Sequence, residues 1–369
     1  MEMRLTVHML LLALPVLIAG CTGALPTRDA TQLATAANTS TLTTSGEVAL
    51  AQTDNGSGLW QQDIEAVLAG LRSNRDGEVY SAAVEETNPD DLAIAVALVD
   101  GRLFMAGDTA SSFPLMSVSK PFTYALAVEQ RGADFMFDKI GVSATGLPYN
   151  SVAAGAVRRT SEQNPMVNAG AIATHSYIEG LSPADKTRAI VDFYSRLANR
   201  PLSVNEAWRV EPRALTYTLA YQMKSAERLQ GDIEDVAARY LESNIIAVNA
   251  SELAQMGATL ANGGVHPLSR QHVMQHQTVR QVLSAMVVAG MYEDSGHWWT
   301  RVGMPAKSGV SGAILAVAPG WGAIVAYSPR LDAAGNSVRG AIAIEELSRR
   351  WNLHSIDRLI QLPPAATNP

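Results

Sequence analysis

The chain predicts an α+β domain in which one antiparallel sheet is built from both ends of the folded part, with helices flanking it and a helical subdomain inserted between the ends. Strand-like and helix-like patterns are segregated along the sequence and do not alternate as a βαβ fold requires. Two β-rich patches, 92–106 and 313–327, bracket an interval that reads helical. The composition supports a large core: of 369 residues 47% are hydrophobic and 17% are charged, where an average soluble domain carries about 25% charge. A net charge of −7 with no Lys/Arg block argues against nucleic acid, whose phosphates need clustered cations.

Residues 1–20 read as a secretory signal: Arg4, an apolar run from Met9 to Ala19, then small residues. The run is too short to span a bilayer. Ile18-Ala-Gly-Cys21 resembles the bacterial lipobox, in which the signal is cut before the cysteine and the cysteine is acylated. Cys21 is the only cysteine, so an internal disulfide, a thiolate zinc site and a Cys-bound iron–sulfur cluster are excluded together. Thr22 follows rather than Asp, which by resemblance to Gram-negative sorting favours the outer membrane. The expected location is the periplasmic side of the cell envelope, with membrane attachment through the lipid on Cys21. Residues 21–58, rich in Thr, Ala, Ser, Gly and Asn, bury too little to offset their ordering entropy and read as a flexible tether. A folded domain is expected over 59–361, its helical subdomain over about 121–290, and a disordered tail over 362–369.

Within the domain, Leu92-Ala-Ile-Ala-Val-Ala-Leu-Val99 is β-rich, and Asp100-Gly101 turns the chain back into 102–106. Residues 313–318 and 322–327 flank Pro319-Gly320-Trp321 as a second hairpin. Helical patterns fall at 122–130, 165–179, 186–197, 232–242, 252–262 and 279–289. Asn249 with Glu252 forms a capping-box signature, and Asn262-Gly-Gly264 is a stop. Tyr124, Tyr194, Tyr217 and Tyr221 are expected to pack on these helices. The natural place for a site is the junction of sheet and helical subdomain.

Ser117-Val-Ser-Lys120 places a serine and a lysine three residues apart, one helical turn, so the amine can reach the hydroxyl. The motif follows Phe113-Pro-Leu-Met116 and opens an apolar helix, so both side chains are expected to face inward. Lys307-Ser308-Gly309 directly precedes a strand, and S-x-x-K followed by K-[ST]-G is the signature pair of penicillin-recognising serine hydrolases. A lysine base must be neutral, and an unperturbed pKa of about 10.4 leaves roughly one molecule in 2,500 competent at pH 7. Burial and a nearby cation, Lys307, both push Lys120 the required way. The backbone N–H groups of Ser117 and Val310 are the expected oxyanion donors. His272 and His276 are spaced as a helical metal pair but no third ligand of sensible spacing accompanies them. Trp298-Trp299 reads as buried aromatic packing.

Asn164-Pro-Met-Val-Asn-Ala-Gly-Ala-Ile172, Met256-Gly-Ala-Thr-Leu-Ala-Asn-Gly-Gly264, Gly290-Met-Tyr292 with Ser295-Gly296, and Pro305-Ala-Lys-Ser-Gly-Val310 run in one order over about 77–356. In this the chain resembles the serine-dependent glutaminases, which have a β-lactamase/transpeptidase-like fold and hydrolyse L-glutamine to glutamate and ammonia. The resemblance implies no metal or organic cofactor, an amino-acid amide as substrate, and a homodimer or homotetramer. It assigns Ser117 as nucleophile, Lys120 as base and Tyr292 as proton donor to the departing ammonia. Tyr240 would hydrogen-bond near the serine, Asn168 would hold the substrate α-carboxylate and Glu211 the α-ammonium. Tyr80 would close the pocket, and Lys307, Ser308 and Gly309 would support it. The segment after Glu211 departs from the family pattern: it is shorter, and Thr216 stands where the family has a substrate-binding Asn. Losing such a polar contact costs about 1–3 kcal/mol, or roughly 5–150-fold in binding. Ser81-Ala-Ala and Ala313 also depart from the family pattern. Two other readings are a penicillin-binding or β-lactamase-like envelope hydrolase, and a glutaminase-like binding protein without activity.

Overall fold

The computed structural model describes residues 56–80, 87–144, 146–155, 163–209 and 214–360, which belong to one compact unit. The signal sequence, Cys21, nearly all of the tether, Ser81, Glu211 and the tail lie outside the described residues.

Five strands form the central sheet: β1 (Ala93–Leu98), β2 (Leu103–Gly107), β3 (Ala306–Ser308), β4 (Ala313–Ala318) and β5 (Gly322–Tyr327). Their order is β2-β1-β5-β4-β3, every neighbouring pair antiparallel. The expected hairpins are both present, and β1 joins β5 with Ala93 opposite Tyr327 and Leu98 opposite Gly322. The sheet is thus made from both ends of the domain, as the sequence predicts.

β1, β4 and β5 are continuous apolar runs because both faces are covered. The two-residue side-chain period sorts them. Ala93, Ala95, Ala97, Leu315 and Val325 face the helical subdomain, and Ile94, Val96, Leu98, Ile314 and Ile324 face the opposite core. That second core is closed by helices α1 (Gly56–Leu71) and α7 (Val338–Arg350). The first three residues of α1 fall inside the stretch assigned to the tether, and its Ile64, Val67, Leu68 and Leu71 stripe packs into this core.

The helices that matter for the site are α2 (Lys120–Arg131), α3 (Asn168–His175), α4 (Ile233–Asn244), α5 (Ala250–Ala261) and α6 (His276–Ala289). α5 carries the expected capping box between Asn249 and Glu252 and lies directly on the sheet. A Cβ at Gly257 would come within 2.4 Å of Leu315 Cδ1, so only glycine permits that approach. α3 is shorter than the 165–179 pattern. Asn164 Oδ1 accepts the Met166 N–H and its carbonyl accepts the Val167 N–H, making a turn from which the helix starts at Asn168. His272 sits in an isolated bridge with Val265 while α6 starts at His276, so these imidazoles share no helix face. Tyr124 and Tyr194 are buried as expected, but Tyr221 is 62% exposed. Its helix, Ala214–Ser225, buries the other stripe: Leu219, Ala220 and Met223. Trp298 packs in the core and donates to the Met304 carbonyl.

Candidate active site

Ser117 does not lie on the α-helix that its motif opens. It sits in a 3₁₀ turn, Met116–Ser119, and Lys120 is the first residue of α2. The difference helps the pair: in a 3₁₀ turn residues i and i+3 eclipse, which stacks Lys120 over Ser117. Lys120 Nζ donates to Ser117 Oγ at 2.6 Å. Met116 holds φ at +46°, a left-handed conformation that costs a non-glycine residue about 1–3 kcal/mol and persists where the surroundings over-determine it. Those surroundings are Phe113-Pro114, paired with Ala247-Val248, and the Leu115 N–H donating to the Ile246 carbonyl.

Both motif lysines are dry: Lys120 is 2% exposed and Lys307 fully buried. Desolvation lowers the Lys120 pKa to about 7, because burial penalises the charged amine. Lys307 is displaced in the same direction. Burial first, and then the charge of Lys120, hold Lys307 well below the ordinary lysine value. Lys307 Nζ donates to the carbonyls of Gly290 and Ser308, at 3.0 and 2.6 Å, and lies 4.1 Å from the Tyr292 ring centroid. It clamps the Tyr292 segment to β3. The clamp needs Gly290, since a Cβ there would stand 1.8 Å from the Ala306 carbonyl oxygen. Gly309 is required for a similar reason: its Cβ would meet Val118 Cγ2 at 2.9 Å, so the β3 end can approach the Ser117 turn.

Tyr292 is buried with φ of +56°. Its hydroxyl donates to the Ser308 carbonyl at 3.0 Å and also hydrogen-bonds the Ser117 side chain. Desolvation pushes this phenol far above its usual pKa, opposed by the Ser117 bond, so it keeps its proton at neutral pH. Tyr240 reaches the same space from α4. Its hydroxyl donates to Asn168 Oδ1 at 3.2 Å, and its ring lies 5.4 Å from Lys120 Nζ.

Of these groups Ser117 and Tyr240 open onto a cavity of about 180 Å³, which Asn168, Thr216, Val310 and Tyr80 also line, while Lys120 and Tyr292 reach it through their bonds to Ser117. Tyr80 stands at its mouth, 38% exposed, directly after the Glu78–Val79 strand that pairs with Arg330–Leu331. The Ser117 N–H leads a turn whose backbone bonds begin with Val118 N–H donating to the Leu115 carbonyl, and leading helical N–H groups have no intrahelical partner. Among the described residues the Val310 N–H makes no backbone hydrogen bond either. Glu211 lies outside the described residues. Two wall residues were not foreseen. Tyr149 packs against Tyr292 with ring centroids 4.3 Å apart and planes tilted by 32°, and its carbonyl accepts the Asn168 N–H. Asn244 lines the cavity, hydrogen-bonds Tyr240 and accepts from Ser119 Oγ. Tyr149 lies in a Gly/Pro-rich stretch and Asn244 ends a helix, and neither sits in a pattern that signals chemistry.

The sequence profile of the family described as Glutaminase matches residues 78–356. The chain belongs to the glutaminase family. It is 41% identical over 274 residues to the glutaminase of Colwellia psychrerythraea, covering 73% of this chain and 88% of that one. Among solved structures, a probable glutaminase, ybaS, aligns with a TM-score of 0.77 and 35% identity over 80% of this chain and 97% of its own. Mglu in its glutamate form aligns with a TM-score of 0.76 and 34% identity over 82% and 70%. This glutaminase fold is the α+β architecture described above.

The lowered pKa of Lys120 has a signed consequence. A neutral amine is the competent base, so kcat/KM should rise about tenfold per pH unit below 7 and level off above it. Because the fold disfavours the protonated amine, stability should also rise with pH between about 7 and the ordinary lysine value. A pH–rate profile flat from pH 5 to about 8 would rule out Lys120 as the base.

Proposed function

We propose that this chain hydrolyses the side-chain amide of L-glutamine through a glutamyl-enzyme formed on Ser117. The observation that carries the reading is the dry 2.6 Å contact between Lys120 Nζ and Ser117 Oγ at the wall of the cavity, where the protonated Tyr292 phenol hydrogen-bonds the same serine. Lys120 takes the Ser117 proton as Oγ attacks the amide carbon. The Ser117 and Val310 N–H groups receive the developing oxyanion. Tyr292 gives its proton to the departing nitrogen, and Lys120 restores it. Water then attacks the acyl-enzyme by the reverse proton path and glutamate leaves. Asn168, oriented by Tyr240, receives the substrate α-carboxylate, and Glu211 pairs with the α-ammonium. A zwitterion loses water at both ends on binding and needs such charge-assisted bonds in return.

Thr216 is in the cavity wall, where family relatives have the longer Asn, which supports weaker binding of glutamine rather than loss of chemistry. We also propose that the protein is a lipid-anchored envelope enzyme, held through Cys21 and the Ser/Thr-rich segment after it.

Ser117→Ala should lower ammonia release from L-glutamine on the order of 10⁴-fold or more with the fold intact; residual activity near wild type would sink the assignment. Thr216→Asn should lower KM for glutamine about 5-fold or more with kcat little changed, and an unchanged KM would show that this contact does not bear on binding. Cys21→Ser should move the protein from the membrane to the soluble fraction, and continued membrane retention would exclude the anchor.

A further inference from the structure

Beside the cavity that holds Ser117 lies a second hollow of about 460 Å³. Tyr80, Tyr149, Asn150 and Val310 line both, so the two are chambers divided by those side chains. The partition locates the second chamber relative to the chemistry. Val310 supplies a proposed oxyanion donor, and Tyr149 packs against Tyr292. A Cβ at Gly335, in the outer wall, would stand 3.7 Å from Tyr292 Cε2, and Glu293, next to Tyr292 in the chain, lines the same hollow. The outer chamber therefore abuts the proton donor, the side from which the nitrogen departs. Asn168 and Tyr240, which receive the amino-acid end, line the inner chamber alone.

Ammonia needs none of this outer space. We infer that the outer chamber is a leaving-group subsite, through which this enzyme also hydrolyses N-substituted glutamines, the γ-glutamyl amides of larger, positively charged amines. The inference rests on the glutaminase reading above. The charged side chains of the chamber are Glu78, Glu293 and Asp332, and its described walls contain no Lys or Arg. Tyr149 reports the same field: after burial, Tyr80 and then Glu293 hold its phenol above the usual value. Such a wall favours a leaving amine that ends in a cation and disfavours one that ends in a carboxylate. The step is unchanged from glutamine. The Ser117 Oγ–acyl bond forms as the C–N bond breaks, the Tyr292 proton goes to the departing amine, and water is the only co-reactant.

The test compares γ-glutamyl amides of three four-carbon amines, ending in ammonium, methyl or carboxylate, with L-glutamine, by glutamate release from the full chain. The ammonium-ended amide should turn over with kcat/KM within about tenfold of glutamine and at least about tenfold above the carboxylate-ended one. Ala334→Trp, which fills the outer chamber only, should cost that amide about tenfold or more and leave glutamine within about twofold. Glu78→Lys should narrow the preference for the cation. Glutamine turnover without hydrolysis of any of the three amides overturns this inference and leaves the glutaminase reading standing. So do equal rates for the cationic and anionic amides, or an Ala334→Trp effect that falls on glutamine and amide alike. A chain that turns over neither glutamine nor the amides overturns both.

Discussion

The exclusion of water from one amine governs the rest of this site. A lysine that serves as a base near neutral pH cannot keep its ordinary affinity for the proton, and burial is the agent that removes it here. Burying an amine is costly unless its donors are satisfied. Lys120 spends one donor on Ser117, and Lys307 spends two on the carbonyls of Gly290 and Ser308. Each neighbouring feature serves that enclosure: the aromatic rings of Tyr240 and Tyr292 over the two amines, the glycines that let the backbones close in, and the left-handed turn at Met116.

No single element owns the site. The proposed nucleophile and base, Ser117 and Lys120, come from the turn that follows the first hairpin, Asn168 and Tyr240 come from the helical subdomain, and Tyr292, Lys307 and Val310 come from the returning chain. Three small contacts hold these parts in register: the pairing of Phe113-Pro114 with Ala247-Val248, that of Glu78-Val79 with Arg330-Leu331, and the Lys307 clamp. The strain at Met116 is held by the first of these, and the position of Tyr80 at the cavity wall by the second.

The sheet was legible because its strands are long, apolar and marked by Asp100-Gly101 and Pro319-Gly320, local signals that need no tertiary context. The Ser117, Lys120, Tyr292 and Lys307 positions were legible because their motifs are local too. The two-residue pairings were not, since strands so short have no periodicity and are fixed by partners far away in the chain. Tyr149 and Asn244 escaped for a related reason: a wall residue is defined by what faces it across the cavity. That both lysines are fully buried also needed the fold, because a sequence motif says nothing of the depth at which its side chain ends.

A sheet sewn from both ends of a chain has a temporal side. β1 finds its partner only when β5 has been made, with Ala93 waiting for Tyr327, so contact order is high and the closing step comes late. Until then β1 and β2 form a hairpin with an open inner edge, Ala- and Val-rich and prone to the wrong neighbour. The Ser117 turn is synthesised early, yet the segment that dries it, from Gly290 to Val310, comes about half the chain later. Until that segment docks, Lys120 lacks the enclosure that lowers its affinity for the proton. A chain in which that segment has not docked would therefore carry a hydrated, charged amine beside Ser117.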